Sequence, residues 1–187
     1  MYVKIGAYPG MRSKKERVVK IRIDKFDTWN MDHTLALMIV PMIKQLIDTK
    51  HGAPNTEDSD LPENLRSIND VPKENTWDTG SLHFDRWNWV LSEILWAFEQ
   101  MLDEESDSQF HTGEIHHLWQ ALDKNDNKLG EPKELGDKTK LKGTQYYQML
   151  KGPNDTHVHD AEGHQKHEDR KRNGFRLFGK YYQCLWD

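Results

Sequence analysis

Eight residues of this chain are of types that could hold a nucleotide: Trp29, His33, Arg86, Trp89, Trp96, Arg176, Lys180 and Tyr181. An aromatic ring can stack on a base, and an arginine or lysine can hold a phosphate through charge-assisted hydrogen bonds. The densest run is Arg172-Asn173-Gly174-Phe175-Arg176-Leu177-Phe178-Gly179-Lys180-Tyr181-Tyr182, where cations and aromatics interleave. The same run also suits a helix with a buried aromatic face and a solvated basic one. A catalytic chemistry would need carboxylates instead. Asp32, Glu93 and Glu99 could bind magnesium across two helices, in the manner of helical nucleotide pyrophosphohydrolases, but Glu93 and Glu99 are six residues apart and fall on different faces.

Two further metal chemistries are suggested by spacing. Asp123, Asn125, Asn127 and Glu134 match oxygen ligands of a calcium loop, yet Lys128 stands where the sharp turn requires glycine, so an Asn/Asp turn is the better reading. Histidines cluster at 111, 116 and 117 and again at 157, 159, 164 and 167. Two imidazoles with a carboxylate could bind zinc, and His164, His167 and Glu168 would lie on adjacent turns of one helix, although no closed zinc signature is matched. There is no phosphate-binding glycine loop and no nucleophile elbow, and Cys184 has no local activating motif. No resident cofactor is therefore expected, with magnesium as the alternative.

Composition narrows the classes further. With 187 residues, the chain is long enough for one sizeable core and is expected to be a single domain. Its net charge of −5 does not favour double-stranded nucleic acid, which takes a surplus of Lys and Arg on one face. Only 35% of residues are hydrophobic, but seven tryptophans, six tyrosines and six phenylalanines supply bulky core material. A single cysteine fits a reducing cytoplasm, and no apolar run reaches the ~18 residues of a membrane span.

These side chains need elements to position them. The stretch His83 to Leu102 carries Trp87, Leu91, Ile94, Leu95, Phe98 and Leu102 at helical steps and predicts a core helix. Val3-Lys4-Ile5 and Val19-Lys20-Ile21-Arg22-Ile23 alternate apolar and charged residues, as strands of a half-buried hairpin do, joined by a polar, basic loop through Pro9, Gly10 and residues 12–17. A second helix is expected from Asn30 to Lys50, buried through Leu35, Met38, Ile39, Met42 and Leu46 and kinked at Pro41. A long polar loop follows at about 52–83, with a short helical turn near Pro62 to Leu65. Residues 114–122 and 143–150 predict a second hairpin across a polar excursion at about 123–142. A last helix is expected from Asp160 to Leu185, burying Phe175, Phe178, Tyr182 and Leu185, with Gly174 and Gly179 marking close approach of another backbone. The fold class is α+β: three principal helices packed on a small antiparallel sheet.

Several blocks resemble a family of uncharacterised soluble accessory proteins encoded by tailed bacteriophages. They are Val19 to Asp24 through Asp27 to Ala36, Lys50 to Pro54, the central helix, Lys151 to Thr156, and Asn173 to Asp187. The family carries no agreed activity and lends no site residues. Its members often have a longer segment ahead of the Lys20-Ile21-Arg22-Ile23 strand than this chain has. The resemblance implies a location in the cytoplasm of an infected bacterial host.

The leading expectation is a non-catalytic phage accessory protein that binds a nucleotide-like small molecule, such as a host defence signal, or a host protein. A magnesium-dependent nucleotide hydrolase is the second reading. The third is an inhibitory or structural protein acting through a homo-oligomer surface.

Overall fold

The computed structural model describes residues 1–6, 16–75, 77–134 and 141–186. Most of the basic loop expected between the first two strands, and part of the 123–142 excursion, lie outside the described residues. The chain is an α+β protein, with three α-helices and small antiparallel sheets among the described residues. It divides into two compact units: residues 1–104 with 168–187, and residues 105–167. No helix among the described residues is long and apolar enough to cross a membrane.

In the first unit, β1 (Tyr2–Ile5) and β2 (Val19–Arg22) form the expected antiparallel hairpin, with Val3 opposite Ile21. Its predicted half-burial is corrected: every residue of both strands is exposed, Ile5 at 52% and Ile21 at 58%. Helix α1 (Met31–Thr49) runs through Pro41, and α2 (His83–Gln100) occupies the predicted central stretch. The segment between them is not featureless. It folds into three short 3-10 turns, Asp58–Asp60, Glu63–Leu65 and Ser67–Asn69, the second at the position expected.

The core of this unit is built on α2, whose Trp87, Val90, Leu91, Ile94 and Phe98 are buried at helical spacing. Against them pack Ala36, Val40 and Ile43 of α1, Leu61 of the 3-10 segment, and Leu177 and Tyr181. The edges of Phe175 and Phe178 meet Phe98 at ring separations of 5.1 and 5.0 Å, the T-shaped geometry that aromatic quadrupoles favour. The face of α1 expected to be buried is offset from the observed one. Ala36, Val40 and Ile43 are the buried residues, Ile39 and Leu46 of the expected stripe are half-buried against the core, and Leu35 and Met42 are exposed. Apolar residues surround this helix, so the sequence pattern admits two faces and the α2 contact selects one.

Helix α3 (Ala161–Lys180) ends earlier than expected, and a 3-10 turn at Tyr182–Cys184 follows. Tyr182 is therefore 65% exposed instead of buried. Gly174 does mark a close approach, since a Cβ there would stand 2.6 Å from the carbonyl oxygen of Glu93 and would also collide with the Ala97 Cβ. Gly179 does not: a Cβ there would meet nothing within 4 Å.

In the second unit, β4 (His117–Leu122) is the centre of a three-stranded sheet, between β5 (Lys128–Glu134) and β6 (Tyr146–Lys151). The expected pairing of β4 with β6 (Tyr146–Lys151) is present, with Leu118 opposite Leu150. The excursion contains a strand that the sequence reading missed, β5 (Lys128–Glu134), whose Lys and Glu residues mask its alternation. Asp123 makes the β4–β5 turn, its carboxylate accepting the amides of Asn125 and Asn127 at 2.7 and 2.9 Å and the Asn127 side chain at 2.9 Å. Those bonds hold its carboxyl below the usual range and occupy the oxygens a calcium ion would need. The short strands β3 (His111–Thr112) and β7 (Val158–His159) pair separately as a two-residue ribbon.

Candidate functional site

The cations nominated for a phosphate are held by carboxylates of the chain itself. Arg176 and Lys180, one helical turn apart on α3, converge on Asp60: Arg176 Nη2 lies 2.8 Å from Oδ1 and Lys180 Nζ 2.6 Å from Oδ2. The Tyr181 hydroxyl donates to the same Oδ2 at 2.8 Å and accepts the Glu57 amide at 3.1 Å, while Lys180 also reaches Glu57 Oε2 at 2.7 Å. The Asp60 side chain is only 2% exposed. Burial by itself would push its carboxyl up, but hydrogen bonds from Lys180, Tyr181 and Arg176 outweigh burial and hold it low. The counterpart is Lys180, pushed up to about 12, first by its bond to Asp60 and then by Glu57.

Arg86 does similar work at the other end of the 52–83 segment. Its Nη2 meets Asp70 Oδ2 at 2.6 Å and its Nε donates to the Leu65 carbonyl at 2.7 Å. Asp70 in turn accepts the Leu82 amide and the Ser81 hydroxyl, each at 2.9 Å, which ties the segment to the start of α2. The backbone bond from Leu82 is the largest of the influences that lower this carboxyl, with Ser81 and Arg86 adding to it against burial.

The remaining nominated residues are dispersed. Trp96 lies under the Arg170 guanidinium at 4.0 Å, and Arg170 grips Glu93 with two bonds of 2.9 and 2.7 Å. Trp89 is half-buried against the core, His33 is half-buried in the first turn of α1, and Trp29 is 89% exposed. The magnesium alternative finds no common site: Glu93 faces Arg170, Glu99 pairs with Lys44 at 2.7 Å, and Asp32 is exposed, its Oδ1 accepting the next residue's amide. Among the described residues these three carboxylates are not grouped for one ion.

A concavity of the first unit is apolar. A groove of about 990 Å³ runs along α1 and is walled by Leu35, Ile39, Met42 and Leu46 on one side and by Phe178, Tyr182 and Leu185 on the other. These α1 residues are four of the five that the sequence assigns to a buried stripe. Gln45 and Thr49 are its polar positions, and the Thr49 hydroxyl already donates to the Gln45 carbonyl at 2.8 Å. The groove was hidden in the sequence because its walls read as core.

No protein-family model matches this chain, and neither a curated protein nor a solved structure is significantly similar to it.

In the second unit, a smaller concavity of about 340 Å³ is lined by Ile115, His116, His117, Trp119 and Glu134. Its histidines are engaged: His116 Nε2 lies 3.3 Å from Glu134, His116 Nδ1 accepts the Asn154 amide at 3.2 Å, and His117 faces Asp155, whereas the buried Trp119 Nε1 finds no hydrogen-bond partner among the described residues. Four other histidines of this unit, at 111, 157, 159 and 164, are brought together by the β3–β7 ribbon and the start of α3.

Proposed function

We propose that this chain is a non-catalytic accessory protein of phage origin that binds a host protein, receiving an amphipathic helix of that partner in the groove on α1. The observation that carries this reading is the contrast within the first unit. The groove offers apolar walls and almost no polar group, whereas Arg86, Arg176 and Lys180 spend their charge on Asp70, Asp60 and Glu57. A phosphate would have to displace those carboxylates. An apolar helix face would displace only water.

The dimensions support a helix as occupant. The wall from Leu35 to Leu46 covers about 17 Å of α1 at 1.5 Å per residue, or three turns. A helix about 10 Å across occupies roughly 1,300 Å³ over that length, so a groove of about 990 Å³ takes most of its apolar side. A stretch that is apolar all round, as residues 35–43 of α1 are, is normally covered all round, yet Ala36, Val40 and Ile43 are buried and Ile39 half-buried while Leu35 and Met42 stay exposed. The two faces together account for its composition once a partner is added.

A photo-crosslinking residue in place of Met42, which is 69% exposed, is expected to give one discrete protein adduct in bacterial cells that carry the chain. The same residue at Ile68, 86% exposed and away from the groove walls, should give none. Met42→Lys should abolish that interaction and change stability by less than about 0.5 kcal/mol, as a solvated site does. Equal adducts at both positions, or none at Met42, would sink the reading. So would a rise in melting temperature with a nucleotide or cyclic dinucleotide, which would return the function to small-ligand binding.

A further inference from the structure

Four imidazoles that are scattered in the sequence form one patch in the second unit. The pairing of β3 with β7 sets His111 directly opposite His159, and their rings stack at 4.6 Å with an interplanar angle of 9°. His157, two residues before His159, belongs to the same face of the strand and also stacks on His111, at 5.1 Å. The start of α3 adds the fourth ring. Asp160 accepts the Gly163 amide on its side chain at 2.9 Å and the His164 amide on its carbonyl at 3.0 Å, so the first turn returns His164 to the ribbon. Phe110 stacks on the His164 ring at 5.1 Å and 17°, which sets its plane.

Ring nitrogens then face each other in two places. His159 Nε2 is 3.1 Å from His164 Nδ1, and His111 Nδ1 is 2.9 Å from His157 Nε2. Facing imidazole nitrogens can share one proton, and they can equally share one metal ion. Tetrahedral zinc at 2.0–2.1 Å from each nitrogen spaces its ligands about 3.3 Å apart, within a few tenths of an ångström of both distances. The two pairs differ in what stands behind them. His164 turns its other nitrogen, Nε2, toward Asp107 Oδ1 at 3.7 Å. A carboxylate behind the far nitrogen is how metal-bound imidazoles are usually held in tautomer and orientation.

We propose that His159 Nε2 and His164 Nδ1 are the protein ligands of a divalent transition-metal site, oriented by Asp107 and Phe110, with water completing the coordination. Imidazole donors select zinc, nickel or copper over magnesium and calcium. The bound ion would join the β3–β7 ribbon to the first turn of α3 within this unit.

The test uses the full chain titrated with zinc, nickel and magnesium, followed calorimetrically and by the nitrogen-15 resonances of the histidine rings. Zinc and nickel are expected to bind and raise the melting temperature, magnesium to do neither, and the His159 Nε2 and His164 Nδ1 resonances to move on addition of zinc. Replacing both residues (His159→Gln with His164→Gln) should weaken zinc at least about tenfold, and Asp107→Asn by about tenfold, the usual effect of removing a carboxylate behind a ligand. Replacing His111 and His157 by Gln should leave affinity within about threefold, well short of that loss. The proposal is overturned if the His159/His164 variant binds zinc as the parent does, if the His111/His157 variant is the one that fails, or if zinc leaves the two ring resonances unmoved. Because the resonance measurement is made on the unaltered chain, it decides the matter even if a variant fails to fold.

Discussion

Asp60→Asn is expected to destabilise the protein by about 3 kcal/mol, and to lower the melting temperature by about 6–12 °C for a chain of this size. The side chain is 2% exposed and receives Arg176, Lys180 and Tyr181. Asparagine keeps the volume but not the charge, leaving two cations facing a neutral amide. Breaking a buried pair by removing one partner costs about 3–5 kcal/mol. The lower end applies here because Arg176 and Lys180 remain 49% and 29% exposed and recover some hydration. A loss under about 0.5 kcal/mol in equilibrium denaturation would show that the cluster is not a stabilising clamp.

The same cluster gives a pH dependence with a definite sign. The Asp60 carboxyl is held below its ordinary 3.8, so its contribution is present above pH 3.8 and lost as pH falls through the lower folded value. Lys180 is raised from 10.5 to about 12, so its contribution is present below pH 10.5 and lost as pH rises through about 12. Tyr181 is raised from 10.0, chiefly by burial, and works in the same direction. Stability should therefore decline between pH 10 and about 12, and that decline should be shallower in Asp60→Asn, since Asp60 is the largest cause of the Lys180 shift.

Gly174→Ala should destabilise by about 2 kcal/mol although alanine is the better helix former. Relief of the glycine penalty contributes ~1 kcal/mol in favour. Against it, the new methyl would stand 2.6 Å from the Glu93 carbonyl oxygen and collide with Ala97, and a backbone carbonyl inside a helix has little room to retreat. Overpacking at such a contact costs about 1–3 kcal/mol or more, and this contact is at the severe end. Gly179→Ala is the internal control, because nothing lies within 4 Å of its added carbon. It should be neutral or stabilising, and equal losses at both positions would sink the packing argument.

The legibility of this chain follows burial. The central helix was readable because Trp87, Leu91, Ile94 and Phe98 are apolar, periodic and all buried. Helix α1 was readable as a helix but not for orientation, since the exposed Leu35 and Met42 are as apolar as the buried Ala36, Val40 and Ile43. Only the α2 contact distinguishes wall from core. Strand β5 escaped because Lys128, Glu131, Lys133 and Glu134 are the residues of a solvated edge, and its pairing to β4 is a backbone event with a weak side-chain signature. The proximity of Arg176, Lys180 and Tyr181 was visible from helical spacing. Their acceptor was not, because Asp60 lies 120 residues away in a segment without periodicity. The histidine patch was hidden likewise, since the register of β3 against β7 fixes it and neither two-residue strand has a pattern to detect.

The clamp on Asp60 also has a consequence for biosynthesis. Its acceptor and its donors are separated by 120 residues, and the first unit is completed by residues 168–187. At about 5–20 residues per second, a ribosome needs roughly 6–24 s to make the chain between them. In the later part of that interval, once α2 (His83–Gln100) has been made, Trp87, Leu91 and Phe98 are in place but Leu177, Phe175 and Tyr181 are not yet there to cover them. The second unit, residues 105–167, can close first. The emerging chain thus passes through a stage in which the Trp87 and Phe98 side of α2 lacks its α3 cover.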